Sequence, residues 1–522
     1  MATAEQNSND YPVPGYATGL PGLARRENTG RIVQWLILVV FMLGGLAFAL
    51  RYNPATHPLP LRIFLALSIF TALFSIRHTA AMPIAAMVYV AFLAGARRFL
   101  IPVFGIMHQD PLLLVIPSIT GIFFLELAFS GRLRAETTMG KARIFLVLIM
   151  LLECVNPKQG GLKVGLTGLL FYLPPLFWSY IGRTLYSERL LRNMLRLLLF
   201  IAVLGSLYGL HQLFYGYAPW EKQWLSSQGD WAFMVHDRSH QFSFFSSSTE
   251  YATVLVLAIL SCWILFLTGD KWALLPLPLF GIALFYISGR GPVVQALLGT
   301  IVVWAIQGKT YRSWAPRLAL AGLVFVGGLV FGLNHAQSLA GNKTEQGIVN
   351  HQVGGLLNPT NSKKSTAKLH TDAMIFGIEQ AFADPLGDGT GSTTLGVGQF
   401  KGIGGNSEVD ISNMGLSLGF LGLLAFVILI GSTVYMAFCT WHDNRSIAAL
   451  AAAVFGPALF LGWLNSDNYT TMLMLWFAFG AMEASHILTH KSSLSSMRGT
   501  ADVGEPRRID FEDRTRATSP PA

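Results

Sequence analysis

The sequence predicts an all-α polytopic membrane protein with about 12–14 transmembrane helices and a large extracytoplasmic loop that carries short helices. Three observations support this class. The 522 residues are 52% hydrophobic and only 12% charged, whereas a soluble protein of this length exposes far more charged side chains. Apolar runs of about 18 to 20 residues recur, which is the length that crosses a bilayer as a helix. Basic residues lie in short blocks between these runs, so the net charge of +9 indicates membrane orientation and not nucleic-acid binding.

About fourteen apolar segments follow one another along the chain. Two of them, 62–76 and 143–155, are short enough to be re-entrant helices. The full set lies near 32–50, 62–76, 79–95, 111–130, 143–155, 164–181, 197–215, 250–268, 273–289, 291–307, 317–333, 412–439, 446–464 and 469–488.

Polar stretches flank this membrane region. Residues 1–31 contain Pro, Gly and Asn and lack the apolar core and cleavage site of a signal peptide, so they are predicted to form a disordered cytoplasmic tail. Residues 489–522 are similar and receive the same prediction. Transmembrane helices are expected over 32–333 and 412–488. The three cysteines lie in or beside apolar runs, which indicates neither a disulfide framework nor a metal site.

The basic blocks predict the orientation, because cytoplasmic connections carry the excess of Lys and Arg. In the fourteen-segment count they all fall on one side, so both termini are predicted to be cytoplasmic. The long connections near 216–249 and 334–411, and the turn that carries Arg290, then face outward. The basic residues are Arg25, Arg26, Arg31, Arg132, Arg134, Lys141, Arg143, Arg183, Arg189, Arg192, Arg196, Lys309, Arg312, Arg317, Arg507, Arg508, Arg514 and Arg516.

The stretch LFYISGRGPVVQALLG (284–299) holds Arg290 in a short turn between two apolar runs. Most arginines at such positions extend to the membrane interface and serve as anchors. Here the turn leaves little loop for the side chain, and Pro292 suits the first turn of the next helix. The guanidinium offers a rigid set of donors that matches phosphate oxygens. From the residues alone, an interfacial anchor and a phosphate ligand are both open.

The first outward connection carries Arg238 and His240 ahead of the run Ser246–Thr249, which opens the next helix. A helix N-terminus with hydroxyls and nearby cations can bind an anion. Ordinary helix capping explains the same serines without a ligand. The tryptophans of this loop fit an interfacial aromatic belt.

In the larger connection, His370–Ala383 has the pattern of an amphipathic helix. The GDGTGS run that follows (387–392) resembles a dinucleotide loop only superficially, because no strand precedes it. Gly308-Lys309-Thr310 lacks the upstream glycine of a phosphate loop. Glu408 and Asp410 enter the next membrane helix, where a catalytic role and a solvated loop end are equally open.

Four stretches in this order resemble the bacterial O-antigen ligase and polysaccharide polymerase superfamily. They are YGLHQLFYGYAPWE, FSFFSSSTEYATVL, YISGRGPVV, and HTDAMIFGIEQAFADPLGDGTGS paired with EVDISNMGLSLGFLGLL. The resemblance covers about residues 200 to 485. It implies an inner-membrane glycosyltransferase, inverting and metal-independent, without a cofactor. The substrate implied is a polyprenyl-diphosphate-linked oligosaccharide, with membrane lipid, a flippase and a chain-length regulator as partners and no nucleic acid.

The same resemblance implies roles for six residues. Arg290 corresponds to the family's arginine that binds the diphosphate, and Arg238 and His240 are expected beside it. His370 stands where family members usually have arginine. The ligases have a histidine where this chain has Glu408 and Asp410, which favours a polymerase and makes either carboxylate, or His370, a candidate base. The Glu408–Asp410 spacing could also hold a divalent metal, but the early loop 51–62 has no acidic motif to support one.

Two alternatives are carried forward. One is a ligase that transfers a lipid-linked glycan to an acceptor. The other is a lipid-linked oligosaccharide flippase, which should show charge inside its central helices and short loops on both faces. The sequence indicates little embedded charge beyond Glu126 and Glu153 and a loop of nearly eighty residues, 334–411, which together favour an enzyme.

Overall fold

The computed structural model consists of helices over nearly all of the chain that it describes. The described residues are 43–47, 49, 51–52, 57–106, 110–131, 133–228, 234–235, 238–287, 289–339, 343–357, 367–394, 396–400, 402–405, 409–460, 462 and 469–501. Contacts divide the chain into two compact units. One contains the described residues up to Thr71 with Val103–Val115, and the other contains Ala72–Pro102 with the described residues from Ile116 onward.

The helices are numbered in chain order. They are α1 (Leu59–Ser75), α2 (Ala81–Phe99), α3 (Ile101–Phe104), α4 (Val115–Phe129), α5 (Thr138–Glu153), α6 (Leu162–Leu185), α7 (Glu188–Tyr215), α8 (Pro219–Gln228), α9 (Ser248–Leu267), α10 (Leu277–Tyr286), α11 (Arg290–Ala305), α12 (Tyr311–Leu339), α13 (Lys343–Leu357), α14 (Ala367–Ala383), α15 (Gly396–Phe400), α16 (Asp410–Asn444), α17 (Ile447–Leu459) and α18 (Tyr469–Ala501).

The described chain also contains three 3-10 turns and one small ladder. The turns lie at Pro111–Leu114, Pro157–Gln159 and Lys271–Leu274. The ladder pairs β1 (Met234–Val235) with β2 (Arg238–Ser239) in antiparallel register.

Eight of these helices are long and apolar enough to cross a bilayer, and four shorter apolar helices accompany them in the described part of the chain. The prediction of an all-α polytopic membrane protein is therefore confirmed. The long loop does carry short helices, α13, α14 and α15. Among the long spans, α9 is the most enclosed and α12 the least, since 83% and 6% of their apolar windows are buried.

Two boundaries differ from the sequence prediction. The last helix continues to Ala501, although its apolar run ends at 488 and a disordered tail was expected from 489. The helix α12 continues to Leu339, six residues past the expected end at 333. Both extensions are polar, and hydropathy marks where a helix leaves the lipid, not where its backbone hydrogen bonds stop.

The helices α6 and α18 pack closely because glycines face each other. A Cβ atom on Gly182 would lie 2.2 Å from the Phe477 carbonyl oxygen, and one on Gly480 would lie 1.8 Å from the Ser179 carbonyl oxygen. Small residues allow two backbones to approach in this way within a membrane.

A buried ionic cluster lies beside this contact. The Glu483 carboxylate accepts from Arg143 at 3.0 Å and from the Thr137 hydroxyl at 2.6 Å, and Arg183 stands 3.4 Å away. Both Arg143 and Glu483 have 0% exposed side chains. The expectation that Arg143 belongs to a basic cytoplasmic connection is therefore wrong, because its helix α5 begins at Thr138 and turns the guanidinium into the bundle.

Further buried charge appears in the smaller unit. There Arg62 is 2% exposed and forms an ion pair with Asp110, whose other oxygen caps a 3-10 turn through the Leu112 amide at 3.1 Å. Embedded charge is thus more extensive than Glu126 and Glu153. Of those two, Glu126 is 32% exposed and pairs with Arg77 at 2.8 Å.

Candidate functional site

The turn between α10 and α11 presents Arg290 as the first residue of α11. Gly289 precedes it as the N-cap residue and contributes no side-chain cap, and Pro292 lies in the first turn as expected. The Arg290 side chain is half-buried. A helix N-terminus carries partial positive charge, so a guanidinium there adds to a field that attracts anions.

His240 and Gln241 hold this turn in place. The His240 Nε2 atom lies 2.5 Å from the Ile287 carbonyl oxygen, and the Gln241 side-chain amide donates to the Tyr286 carbonyl at 3.3 Å. These carbonyls lie at the end of α10, where a helix leaves its last carbonyls without helical partners. The structure thus bonds one ring nitrogen of His240 to the backbone of Ile287, three residues before Arg290. Arg238 contributes its backbone to β2, and its side chain is outside the described part.

The titration of His240 gives a testable consequence. Burial lowers the pKa of His240 below its usual value, and the hydrogen bond to Ile287 opposes the shift only in part. A histidine with a lowered pKa is neutral in the folded protein, so its stabilising effect is present above about pH 6.5 and is lost as the pH falls toward the folded value. The thermal midpoint of the wild type in detergent should therefore fall more between about pH 7.5 and pH 5 than that of His240→Gln.

A second histidine serves as the control for this measurement. His211 lies exposed on α7, so His211→Gln controls for the replacement of a histidine by glutamine itself. Identical pH profiles for His240→Gln and the wild type would show that the ring does not couple to folding.

The segment that carries His240 is built on a buried arginine of α2. The two terminal nitrogens of Arg98 donate to the carbonyls of Phe245 at 2.7 Å and Ser243 at 2.9 Å. Gln212 of α7 completes the support, since its side-chain oxygen accepts from the amides of Phe242 and Ser243. Ser243 has a φ of 53°, so this bend depends on these bonds. Neither residue was predicted to support the site. Arg98 lies in an apolar helix 145 and 147 residues before its partners, and Gln212 lies in the last turns of α7, 30 and 31 residues before the amides that it accepts from.

The serine run is a helix cap. The Ser247 hydroxyl accepts from the Glu250 amide at 3.1 Å, and the Glu250 carboxylate accepts from the Ser246 amide at 2.9 Å and from the Thr470 amide at 3.0 Å. The carboxylate of Glu250 is buried and occupies the position that an anion would take at this helix end. Of the two interpretations of Ser246–Thr249, capping is therefore the one that the geometry supports.

Asp410 and the helix α11, which begins at Arg290, both contact Gly462. Asp410 is fully buried as the first residue of α16, and its amide donates to the Gly462 carbonyl at 3.2 Å. A Cβ atom on Gly462 would lie 2.6 Å from the side-chain nitrogen of Gln295, five residues after Arg290 on α11. The start of α16 and the first half of α11 therefore meet at Gly462. Glu408 lies outside the described residues.

His370 lies at this same end of α16. It is an exposed residue in the first turn of α14, which packs along α16. The Ser412 hydroxyl donates to the Ala373 carbonyl at 2.8 Å, and a Cβ atom on Gly415 would lie 2.4 Å from the Gly377 carbonyl. His370 precedes Ala373 by about one helical turn and so stands near the start of α16.

The helix α16 has a break that separates this region from its membrane span. Gly419 has φ 63° and ψ −160°, values that no helix contains. The part of α16 after Gly419 is long enough, at 1.5 Å per residue, to cross a hydrocarbon core of about 30 Å. The first turns, with Asp410 and the packed helix α14, are thus not needed for the span.

The glycine-rich segment 387–394 uses its amides inside the protein. The amides of Asp388 and Gly389 donate to the carbonyls of Leu416 and Ser417 at 2.8 and 2.9 Å, next to the break in α16. The Gly391 amide donates to the side-chain oxygen of Gln159 at 2.8 Å. A phosphate-binding loop needs free amides that point at the ligand, so the geometry argues against a nucleotide site here.

The structure thus connects His240 to the turn that precedes Arg290, and it connects the start of α16, which carries Asp410 and lies near His370, to α11 at Gly462. Among the residues that the structure describes, no group of three or more His, Cys, Asp or Glu lies together as a metal site requires. No family model matches the chain, and no curated protein matches it.

Proposed function

We propose that this protein is an integral membrane glycosyltransferase that polymerises polyprenyl-diphosphate-linked repeat units into an exopolysaccharide or O-antigen, on the outer face of the bacterial cytoplasmic membrane. One observation carries the proposal. Arg290 opens a helix at a braced turn, and that helix meets the buried Asp410 at Gly462. A cationic group and a carboxylate are the two elements that transfer from a diphosphate donor needs.

Arg290 acts on the leaving group. The bond from the anomeric carbon to the diphosphate breaks, and charge develops on the departing phosphate oxygen. A guanidinium at a helix N-terminus stabilises that charge through directed N–H donors and through the helix dipole. Because His240 and Gln241 hold the turn, the guanidinium is positioned before the donor arrives, which lowers the cost of organising it.

A carboxylate serves the acceptor. The attacking sugar hydroxyl loses its proton as it bonds to the anomeric carbon, and Asp410 is the described carboxylate at the start of α16 that could accept this proton. His370, near the same helix start, is the second candidate base. Attack on the side opposite the diphosphate inverts the anomeric configuration, and no metal is required when an arginine neutralises the leaving group.

The test uses a deletion strain complemented with the wild type, Arg290→Ala, Arg290→Lys or the control Lys222→Ala. Lys222 is an exposed cation of α8, on the same predicted outward connection as His240. Loss of a charged hydrogen bond predicts that Arg290→Ala lowers long-chain polysaccharide about tenfold to a hundredfold, at equal membrane levels. Lysine should not restore it, because a point charge lacks the planar donor set.

Three other outcomes would contradict the role of Arg290 or favour a different function. Full activity of Arg290→Ala would show that Arg290 does not take part in the reaction. Long chains that accumulate without their anchor in the deletion strain would indicate a ligase. Lipid-linked units that accumulate on the cytoplasmic face would indicate a flippase. The flippase stays a second candidate because the Arg143–Glu483 pair is charge inside the helices, although its partners already satisfy it.

A further inference from the structure

A cavity of about 660 Å³ lies at the opposite end of α11 from Arg290. It is bounded by the last turn of α11, the first two turns of α12 and the C-terminal part of α16. Its wall is almost wholly apolar. The larger side chains in it include Tyr311, Trp314, Leu318, Tyr435, Phe438 and Cys439. Tyr435 and Tyr311 are 70% and 50% exposed, so the cavity opens onto the surface of the bundle.

The rim of this cavity is held by hydrogen bonds between α16 and the turn that joins α11 to α12. The Trp441 side chain donates to the Ile306 carbonyl at 2.9 Å. Arg445 donates to the Gly308 carbonyl at 2.8 Å, and the Trp314 ring nitrogen donates to the same carbonyl at 3.0 Å. These bonds hold α16 and the turn between α11 and α12 together beside the cavity.

Three cations lie next to residues of the cavity wall, in sequence or by hydrogen bond. Lys309 and Arg312 flank Tyr311 in sequence, both are exposed, and neither forms an ion pair with a residue that the structure describes. Arg445 adds a third cation at the rim. The carboxylate of Asp443 is engaged by the ring of His442 at 3.0 Å, and that ring stacks on Tyr311 at a centroid distance of 4.2 Å. An apolar cavity with aromatic edges and excess positive charge matches a lipid whose headgroup is anionic.

We infer that this cavity binds one acyl chain of an anionic phospholipid, with the headgroup phosphate at Lys309 and Arg312. The inference does not depend on the proposed transferase activity. It predicts that this position retains a lipid with an anionic headgroup in preference to one with a zwitterionic headgroup. Charge complementarity favours a lipid over a second copy of this chain, because two basic rims would repel each other.

Native mass spectrometry of the purified full chain tests this inference. The protein in detergent is titrated with phosphatidylglycerol or with phosphatidylcholine of the same acyl chains. The wild type should retain one phosphatidylglycerol at concentrations where phosphatidylcholine is lost. Each rim cation near the surface contributes about fivefold to the affinity, so Lys309→Gln with Arg312→Gln should weaken phosphatidylglycerol binding roughly 25-fold.

Two further variants separate the cavity from general charge. Ala315→Trp places a bulky side chain in the cavity wall and should reduce retention of both lipids. The matched control Lys141→Gln with Arg189→Gln removes two exposed cations elsewhere and should bind as the wild type does. If Ala315→Trp does not fold, the rim variant decides alone, because its side chains are at the surface. Equal retention of both lipids, no effect of the rim variant, or a dimer that the cavity variant disrupts would each overturn the inference.

Discussion

Replacement of Glu483 by glutamine is expected to lower the free energy of unfolding by about 3–5 kcal/mol. The glutamine keeps the size of the side chain and removes its charge. Arg143 would then be a fully buried guanidinium without a neutralising partner, and Arg183 would lose the same carboxylate. An arginine stays protonated under all ordinary conditions, so it cannot escape this cost by losing its proton.

Unfolding of the purified protein by SDS titration in a mild detergent measures this loss. Glu126→Gln is the matched control, because the Arg77–Glu126 pair is about one-third exposed and should change stability by less than about 1 kcal/mol. The double variant Arg143→Met with Glu483→Gln should recover much of the loss, since neither charge is then stranded. A double variant as unstable as Glu483→Gln would contradict the ion-pair explanation.

Gly480→Ala is expected to cost about 3 kcal/mol, the upper end of the range for overpacking. The added Cβ would lie 1.8 Å from the Ser179 carbonyl oxygen and 2.8 Å from the Arg183 amide nitrogen, both backbone atoms of α6. Backbone atoms in a helix cannot rotate aside, so α18 would have to move away from α6. The same movement would stretch the contacts of Arg143 and Arg183 with Glu483.

Gly431→Ala controls for the intrinsic effect of alanine in a helix. No atom lies within 4 Å of a Cβ built on Gly431 of α16, so this variant should be neutral or more stable by about 0.5–1 kcal/mol. Thermal unfolding of both variants in the same detergent provides the comparison. A Gly480→Ala protein as stable as Gly431→Ala would mean that α6 and α18 are not in close backbone contact.

Membrane spans are well predicted from this sequence because hydropathy is a local property. The apolar runs that became α6, α7, α9 and α16 are each long enough to identify a span by themselves. The prediction for Arg143 failed for the opposite reason. Its partner Glu483 lies 340 residues away, and composition alone places an arginine near the start of a helix with the basic connection before it.

In the candidate site, too, local features were predicted from the sequence and contacts between distant residues were not. Arg290 at the start of a helix, with Pro292 in the first turn, follows from neighbouring residues and was predicted. The bond from His240 to Ile287 joins residues 47 apart, and the support from Arg98 reaches 145 and 147 residues along the chain. No periodicity encodes such contacts. The serine run was ambiguous because a capping box and an anion site use the same residues, and only the position of the Glu250 carboxylate distinguishes them.

The segment Gly387–Thr394 has a consequence for experiments that map sidedness. By composition it looks like a flexible linker, the usual choice for an inserted epitope or protease site. Its amides are bonded to α16 and to Gln159, and Gly389 and Gly391 leave no room for side chains. Deuterium uptake in this segment should therefore be slow. An insertion there would displace the junction of α5 with α6, and a loss of product would report that damage instead of the side of the membrane on which the segment lies.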